Sequence, residues 1–260
     1  MSNLSALKSD WESLAQKDAL AAILTDENKS GGKWDIAEFM ATGDTEIETV
    51  LQHLYAIGLH PEPSAAVLDF GCGVGRLTQA LARRFQSCVG IDISQEMIRQ
   101  ADALNRYRHC RYVASATPRL PFADESFSFV YSNIVLQHVA RRFAVDYLRE
   151  FIRVLAPGGV LVFGVQDTFA TPNLASLLTR IRHILHLRSR LRAWFKGASG
   201  DMQMHCLPEP VVRRVIGPAT ITDIRHTNTA AKDFNGKLVY LQTPPRSGYV
   251  GRQYCVVKPA

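Results

Sequence analysis

The chain has 260 residues, 47% of them hydrophobic, and a formal net charge of +6. That length can bury one substantial α/β core with an appended cap, so a single domain over residues 1–260 is expected. No apolar run reaches membrane-spanning length, and Met1 to Asp10 lack the basic-then-apolar pattern of a secretory leader, which points to a soluble cytoplasmic protein.

Cys72, Cys88, Cys110, Cys206 and Cys255 are scattered and form no C-x-x-C pair, so neither a zinc site nor a redox couple is indicated. Mild basicity identifies no partner by itself, but its distribution is uneven. The first 70 residues are acidic, whereas Arg180, Arg182, Arg188, Arg190, Arg192 and Lys196 collect much of the positive charge.

In chain order, Leu4, Leu7, Trp11, Leu14, Leu20 and Ile23 follow mostly helical spacing, which predicts an amphipathic helix over residues 4–24 that ends before Gly31 and Gly32. Lys33 to Gly43 reads as an aromatic-bearing loop. A helix follows from about Asp44 to Ile57, with Thr42 to Thr45 offering caps.

Strands are expected near 66–70, 88–92, 110–114, 127–132 and 159–165, with helices between them. Pro157, Gly158 and Gly159 mark a helix stop and turn before the fifth strand. Such alternation gives a parallel sheet that binds ligands at the carboxyl ends of its strands. Between 174 and 196, leucines and isoleucines at helical spacing alternate with arginines.

The most informative run is Val67-Leu68-Asp69-Phe70-Gly71-Cys72-Gly73-Val74-Gly75-Arg76-Leu77-Thr78. A buried strand is broken abruptly by glycines at alternate positions, and a helical pattern follows from Leu77. Strand, turn and helix make the first half of a nucleotide-binding unit. Asp92 ends the next strand, 21 positions after Gly71, where an acid grips ribose hydroxyls. A dinucleotide fingerprint would need a third glycine at position 76, which is Arg76 here.

These residues resemble the first two motifs of the class I S-adenosylmethionine-dependent methyltransferases. Leu120-Pro121-Phe122-Ala123-Asp124-Glu125-Ser126-Phe127 is similar to the family's loop before the fourth strand, and Leu155-Ala156-Pro157-Gly158-Gly159 to its turn before the fifth. The likeness is to the small-molecule branch of type 11 and type 12 domains. Ser128 and Ser115 depart from the pattern, since aspartates are usual there.

The resemblance implies a Rossmann-like, doubly wound, seven-stranded α/β sheet. Two more strands would lie near 219–227 and 251–258, the last antiparallel. An N-terminal helical lid (1–60) would precede the cofactor-binding core (61–166), and a substrate cap (167–217) would be inserted before the final strands (218–260). The basic segment 174–196 is open to three readings: a solvated face, part of that cap, or a membrane-surface contact.

The implied cofactor is S-adenosyl-L-methionine, giving S-adenosyl-L-homocysteine, with no metal required. Asp69, Gly71, Cys72 and Gly73 would belong to its site. Asp92 would bind the ribose, Ile93 and Met97 would flank adenine, Ala116 and Thr117 would lie at its edge, and Asn133 would sit near the reacting end. Trp34 and Phe39 would close over it, or else serve as core anchors.

His138 is the candidate general base, although it could instead be a structural histidine. His205 and Tyr240 are further candidates for the acceptor pocket. The expected reaction is methyl transfer to an oxygen or nitrogen of a metabolite, natural product or sugar. RNA methylation and cofactor binding without turnover are the alternatives. No nucleic-acid-binding module is recognisable, and DNA is not expected as a partner.

Overall fold

The structure, a computed structural model, describes residues 4–26, 28–170, 204–231 and 234–260. Most of the predicted cap, including the basic segment 174–196, lies outside these residues.

The sheet is organised around β1 (Ala66–Phe70), whose flanks are taken by β2 (Ser87–Asp92) on one side and β4 (Phe127–Ser132) on the other, both parallel to it. β3 (Cys110–Ala114) extends the sheet beyond β2, and β5 (Leu155–Ala170) beyond β4. β8 (Gly248–Val257) then runs antiparallel between β5 and β6 (Thr220–Thr227). All seven expected strands are present, and the two-residue β7 (Tyr240–Leu241) adds an eighth at the β6 edge.

β5 is longer than the predicted 159–165. Its start is drawn into the sheet by Phe127, which pairs with Leu155. Gly158 N–H donates to Lys258 O at 2.9 Å and Lys258 N–H to Gly159 O at 3.1 Å, so the Pro-Gly-Gly turn joins the ladder.

Side chains alternate between the two faces of the sheet with period two. Leu68, Val130 and Phe163 pack with α5 (Arg141–Val154) and α6 (Glu209–Val215), whereas Val67, Phe129 and Val162 pack with α2 (Ile36–Ala56) and α3 (Arg76–Leu81). α4 (Gln95–Leu104) links β2 to β3.

α1 (Leu4–Ile23) is the predicted amphipathic helix, bent at Asp18, whose backbone is non-helical. Asp18 holds the bend: Oδ1 accepts from Ala21 N–H, and Oδ2 accepts from Gly31 and Gly32 N–H at 2.9 and 2.8 Å.

α2 begins eight residues before the predicted start at Asp44. Asp35 is its N-cap and accepts from Glu38 N–H at 2.9 Å. Trp34, just before the cap, meets Phe39 edge to face at 5.5 Å, a hydrophobic staple that fixes where the chain enters the helix. Thr42 and Thr45 are interior residues whose hydroxyls donate back to Phe39 O and Ala41 O. Gly43 sits where α2 crosses α3, and a Cβ there would lie 2.5 Å from Arg76 O.

Candidate functional site

At the carboxyl ends of β1, β2 and β4 opens a cleft of about 990 Å³, including its solvent-filled mouth. Its floor is the glycine turn. Gly71 and Gly73 have φ of 77° and 52°, values that only glycine adopts without strain. Crowding adds a second requirement for glycine. A Cβ at Gly71 would come 2.2 Å from Val135 Cγ2, and one at Gly73 would come 2.6 Å from Ile23 Cδ1.

Asp92 closes one end of the cleft. Its Oδ2 accepts from Gly73 N–H and its Oδ1 from Ser94 N–H, each at 2.9 Å. Each oxygen therefore keeps accepting capacity on the cleft side. Burial raises the carboxyl above its ordinary range, and the backbone N–H donors from Ser94, Gly73 and Ile93 oppose that shift. Ile93 and Met97 line the cleft beside it. Ser115 and Thr117 also line it, with their hydroxyls 3.1 Å apart, but Ala116 between them is not among the lining residues.

Asp69 lies behind the turn. It is buried, accepts from Thr78 Oγ1 at 2.6 Å, and is pushed up to about 7 by burial. It does not line the cleft. Cys72 does line it, with its thiol buried and driven well above the ordinary value by burial. Cys72, Cys88, Cys110 and Cys255 are buried thiols outside any disulfide.

Trp34 and Phe39 do not reach the cleft. They are the core anchors of the alternative reading, packed with Leu24, Val74, Met97 and Phe234, and Trp34 Nε1 donates to Leu24 O. The cover comes from α1 instead, through Leu4, Leu7, Trp11, Ala22 and Ile23. Glu12 pins this cover: its carboxylate accepts from Ser94 Oγ at 2.7 Å and from Glu96 N–H at 3.1 Å.

His138 lines the opposite wall, on the 3₁₀ turn Leu136–His138, with Trp11 edge to face at 5.7 Å. His205 is next to this turn, since its N–H donates to Gln137 O at 2.7 Å, but it is not a lining residue. Tyr240 is remote, on the β7 edge, where its hydroxyl donates to Gln253 Oε1 and its ring packs on His53.

Asn133 lines the cleft, as does Arg76, whose significance in the sequence was only that it is not glycine. Both are tied to Glu46, a fully buried residue of α2 that no motif signals. Ile134 next to Asn133 also lines the cleft and has φ of 61°. A β-branched residue in that region costs of order 1–3 kcal/mol and tends to mark a functional turn.

The strand order, the β8 insertion and the cleft at the carboxyl ends of the strands define the class I S-adenosylmethionine-dependent methyltransferase fold. Residues 68–163 match the methyltransferase domain family.

Among curated relatives, the malonyl-[acyl-carrier protein] O-methyltransferase of Halorhodospira halophila is 32% identical over 136 residues, covering 50% of this chain and 42% of that protein. The phosphoethanolamine N-methyltransferase 3 of Arabidopsis thaliana is 25% identical over 108 residues, covering 40% of this chain and 22% of that protein. The chain thus spans less than half the length of either. The solved magnesium protoporphyrin IX methyltransferase from Synechocystis, with bound SAH, superposes with a TM-score of 0.61 at 19% identity, covering 98% of this chain and all of that one. Among the described residues, no helix is long and apolar enough to cross a membrane.

Proposed function

We propose that this protein transfers a methyl group from S-adenosyl-L-methionine to an oxygen or nitrogen of a small-molecule acceptor, a metabolite, natural product or sugar. The observation that carries the reading is Asp92, which is fixed by Gly73 N–H on one oxygen and Ser94 N–H on the other, yet lines the cleft. That arrangement suits a vicinal diol, each hydroxyl of which donates to one carboxylate oxygen.

The surrounding residues fit the rest of such a cofactor. Ile93 and Met97 supply apolar surface for a purine, Ser115 and Thr117 supply hydroxyls at its edge, and Gly71 to Gly73 offer backbone without Cβ atoms. When bound, the cofactor supplies an electrophilic methyl group on a sulfonium. The protein's own part is to align the acceptor and exclude water. Leu4, Leu7 and Trp11 cover the cleft, and in this reading His138, which lines it, takes or holds a proton of the acceptor.

The relatives named above include both an O- and an N-methyltransferase, so the choice of acceptor atom is left to this chain's own residues. The domain organisation we propose keeps residues 1–260 as one unit, with the lid function on α1 and the acceptor contacts in part on 167–217.

Calorimetric titration with S-adenosylmethionine tests the cofactor assignment. One site is expected, weakened about a hundredfold or more by Asp92→Ala, since hydrogen bonds to a charged partner are each worth ~1.5–3 kcal/mol. Absence of binding to the unaltered protein would reject it. A radiolabelled-methyl assay on extract split into small molecules, RNA and protein then assigns the acceptor. Label confined to RNA would overturn the small-molecule reading, and binding without label in any fraction would leave a cofactor-binding protein without turnover.

A further inference from the structure

The most heavily invested buried charge in the described residues is Glu46, in the middle of α2. Its side chain is 0% exposed and takes three donors: Arg76 Nη2 at 2.9 Å, and Tyr131 Oη and Asn133 Nδ2 at 2.8 Å each. Desolvating such a pair costs several kcal/mol per ion, and apolar residues in its place would often serve stability as well. Two of the three donors, Arg76 and Asn133, line the cleft.

The chemistry of the contact fixes an orientation. An ionised carboxylate only accepts hydrogen bonds, so Asn133 must turn its Nδ2 to Glu46 and keep Oδ1 as its remaining acceptor. That oxygen lies over Gly164 of β5, where a Cβ would come within 2.4 Å of it.

Strand order says what Asn133 meets. β2, β1 and β4 are consecutive neighbours, so Asp92, Gly71 and Asn133 follow one another along the floor. A molecule whose diol rests on Asp92 and which crosses Gly71 brings its opposite end to Asn133 and Arg76. In S-adenosylmethionine that end is the amino acid, with an α-ammonium and an α-carboxylate.

We propose that Glu46 is a positioning residue of the methyl-donor site, holding Asn133 Oδ1 toward the cofactor's α-ammonium and Arg76 beside its amino-acid end. The proposal rests on the cofactor assignment above. Exchanging Glu46 for glutamine removes the constraint in a defined way. The new amide presents Nε2 to Asn133, which turns over and shows the cleft a donor in place of an acceptor. The double variant Glu46→Gln with Asn133→Asp exchanges carboxylate and amide, keeps the charge beside Arg76, and returns an acceptor oxygen to the cleft.

The test is calorimetry with S-adenosylhomocysteine and with its analogue lacking the α-amino group. The unaltered protein should prefer S-adenosylhomocysteine by about tenfold or more, as expected for one buried charge-assisted hydrogen bond. Glu46→Gln should bring the two ligands to within about threefold of each other, and the double variant should restore the preference. A merely structural Glu46 would weaken both ligands alike and leave their ratio unchanged, which overturns the proposal, as does an unaltered protein that binds both equally. Binding of neither by the unaltered protein would mean that the cofactor assignment itself fails.

Should Glu46→Gln not fold, the unaltered protein decides. Its Asn133 side-chain amide resonance, assigned by its loss in Asn133→Asp, should shift when S-adenosylhomocysteine is added and stay unmoved with the analogue. An Asn133 signal that responds identically to both rejects the inference.

Discussion

Glu12 on α1 accepts a hydrogen bond from Ser94 Oγ at 2.7 Å, two residues beyond Asp92. The same carboxylate accepts from Glu96 N–H at the first turn of α4, where negative charge is favourable. The helix that covers the cleft is therefore fastened to the segment that carries Asp92. Glu12→Ala should release α1, and amide exchange over residues 4–23 should accelerate while the sheet keeps its protection. Cofactor affinity should fall about three- to tenfold, since a cap and its dipole interaction are worth ~1 kcal/mol. Unchanged exchange in α1 would contradict this role.

Asp92 should impose a pH dependence on cofactor binding. On the proposed reading the carboxylate form accepts the diol, and burial raises its pKa. Affinity is therefore full at high pH and falls as the pH drops through the raised value. Asp92→Asn should bind weakly at every pH and show no such slope. Calorimetry at a series of pH values compares the two, and parallel profiles would assign the titration to another group.

Asp69 makes a prediction about stability instead. Its carboxyl is pushed from 3.8 to about 7 by burial. Between these values the folded state holds a proton that the unfolded chain has released, so stability falls as the pH rises through this window. Asp69→Asn keeps an oxygen for Thr78 and removes the ionisation. Its Tm should change less than that of the unaltered protein between about pH 5 and pH 8. An equal Tm slope in both proteins would rule this out.

Trp34 and Trp11 should separate stability from binding. Trp34→Ala removes the staple partner of Phe39 from a packed cluster and should cost ~3–5 kcal/mol of unfolding free energy. Cofactor affinity, measured well below the melting temperature, should change little. Trp11→Ala, at the half-buried wall facing His138, should cost less stability and weaken binding. The reverse pattern would return Trp34 to the lid.

Gly43→Ala tests the crossing of α2 and α3. The added methyl would meet Arg76 O at 2.5 Å, so the helices must part. Helix propensity favours alanine by ~1 kcal/mol, whereas overpacking costs ~1–3 kcal/mol or more. Net destabilisation is expected in denaturant unfolding, and a stabilised variant would show that the crossing yields easily.

The features that the sequence by itself determined are those whose signals are contiguous. The run Val67 to Thr78 carries strand, turn and helix start within twelve residues, and Asp92 follows at the end of the next strand. Short apolar runs bounded by turn signals marked the first five strands, because that pattern is local to the chain, and the resemblance supplied the last two. The start of α2 was equally local but was obscured: Asp35 and the Trp34–Phe39 staple announce it, yet the threonines and Gly43 downstream imitate a later boundary.

What only the tertiary structure decided are meetings between distant residues. Glu46 and Asn133 are 87 positions apart and touch because α2 packs across the carboxyl end of β4. Trp34, just before α2, and Trp11, inside α1, have the same side chain, and packing sends one to the core and the other to the cleft. A lone buried glutamate has no sequence signature, since its cost is offset only by donors that the fold brings to it. The glycine turn and Asp92 thus declared the class of site from the chain, while the residues that hold and cover that site emerge only from the packing of α1 and α2 on the sheet.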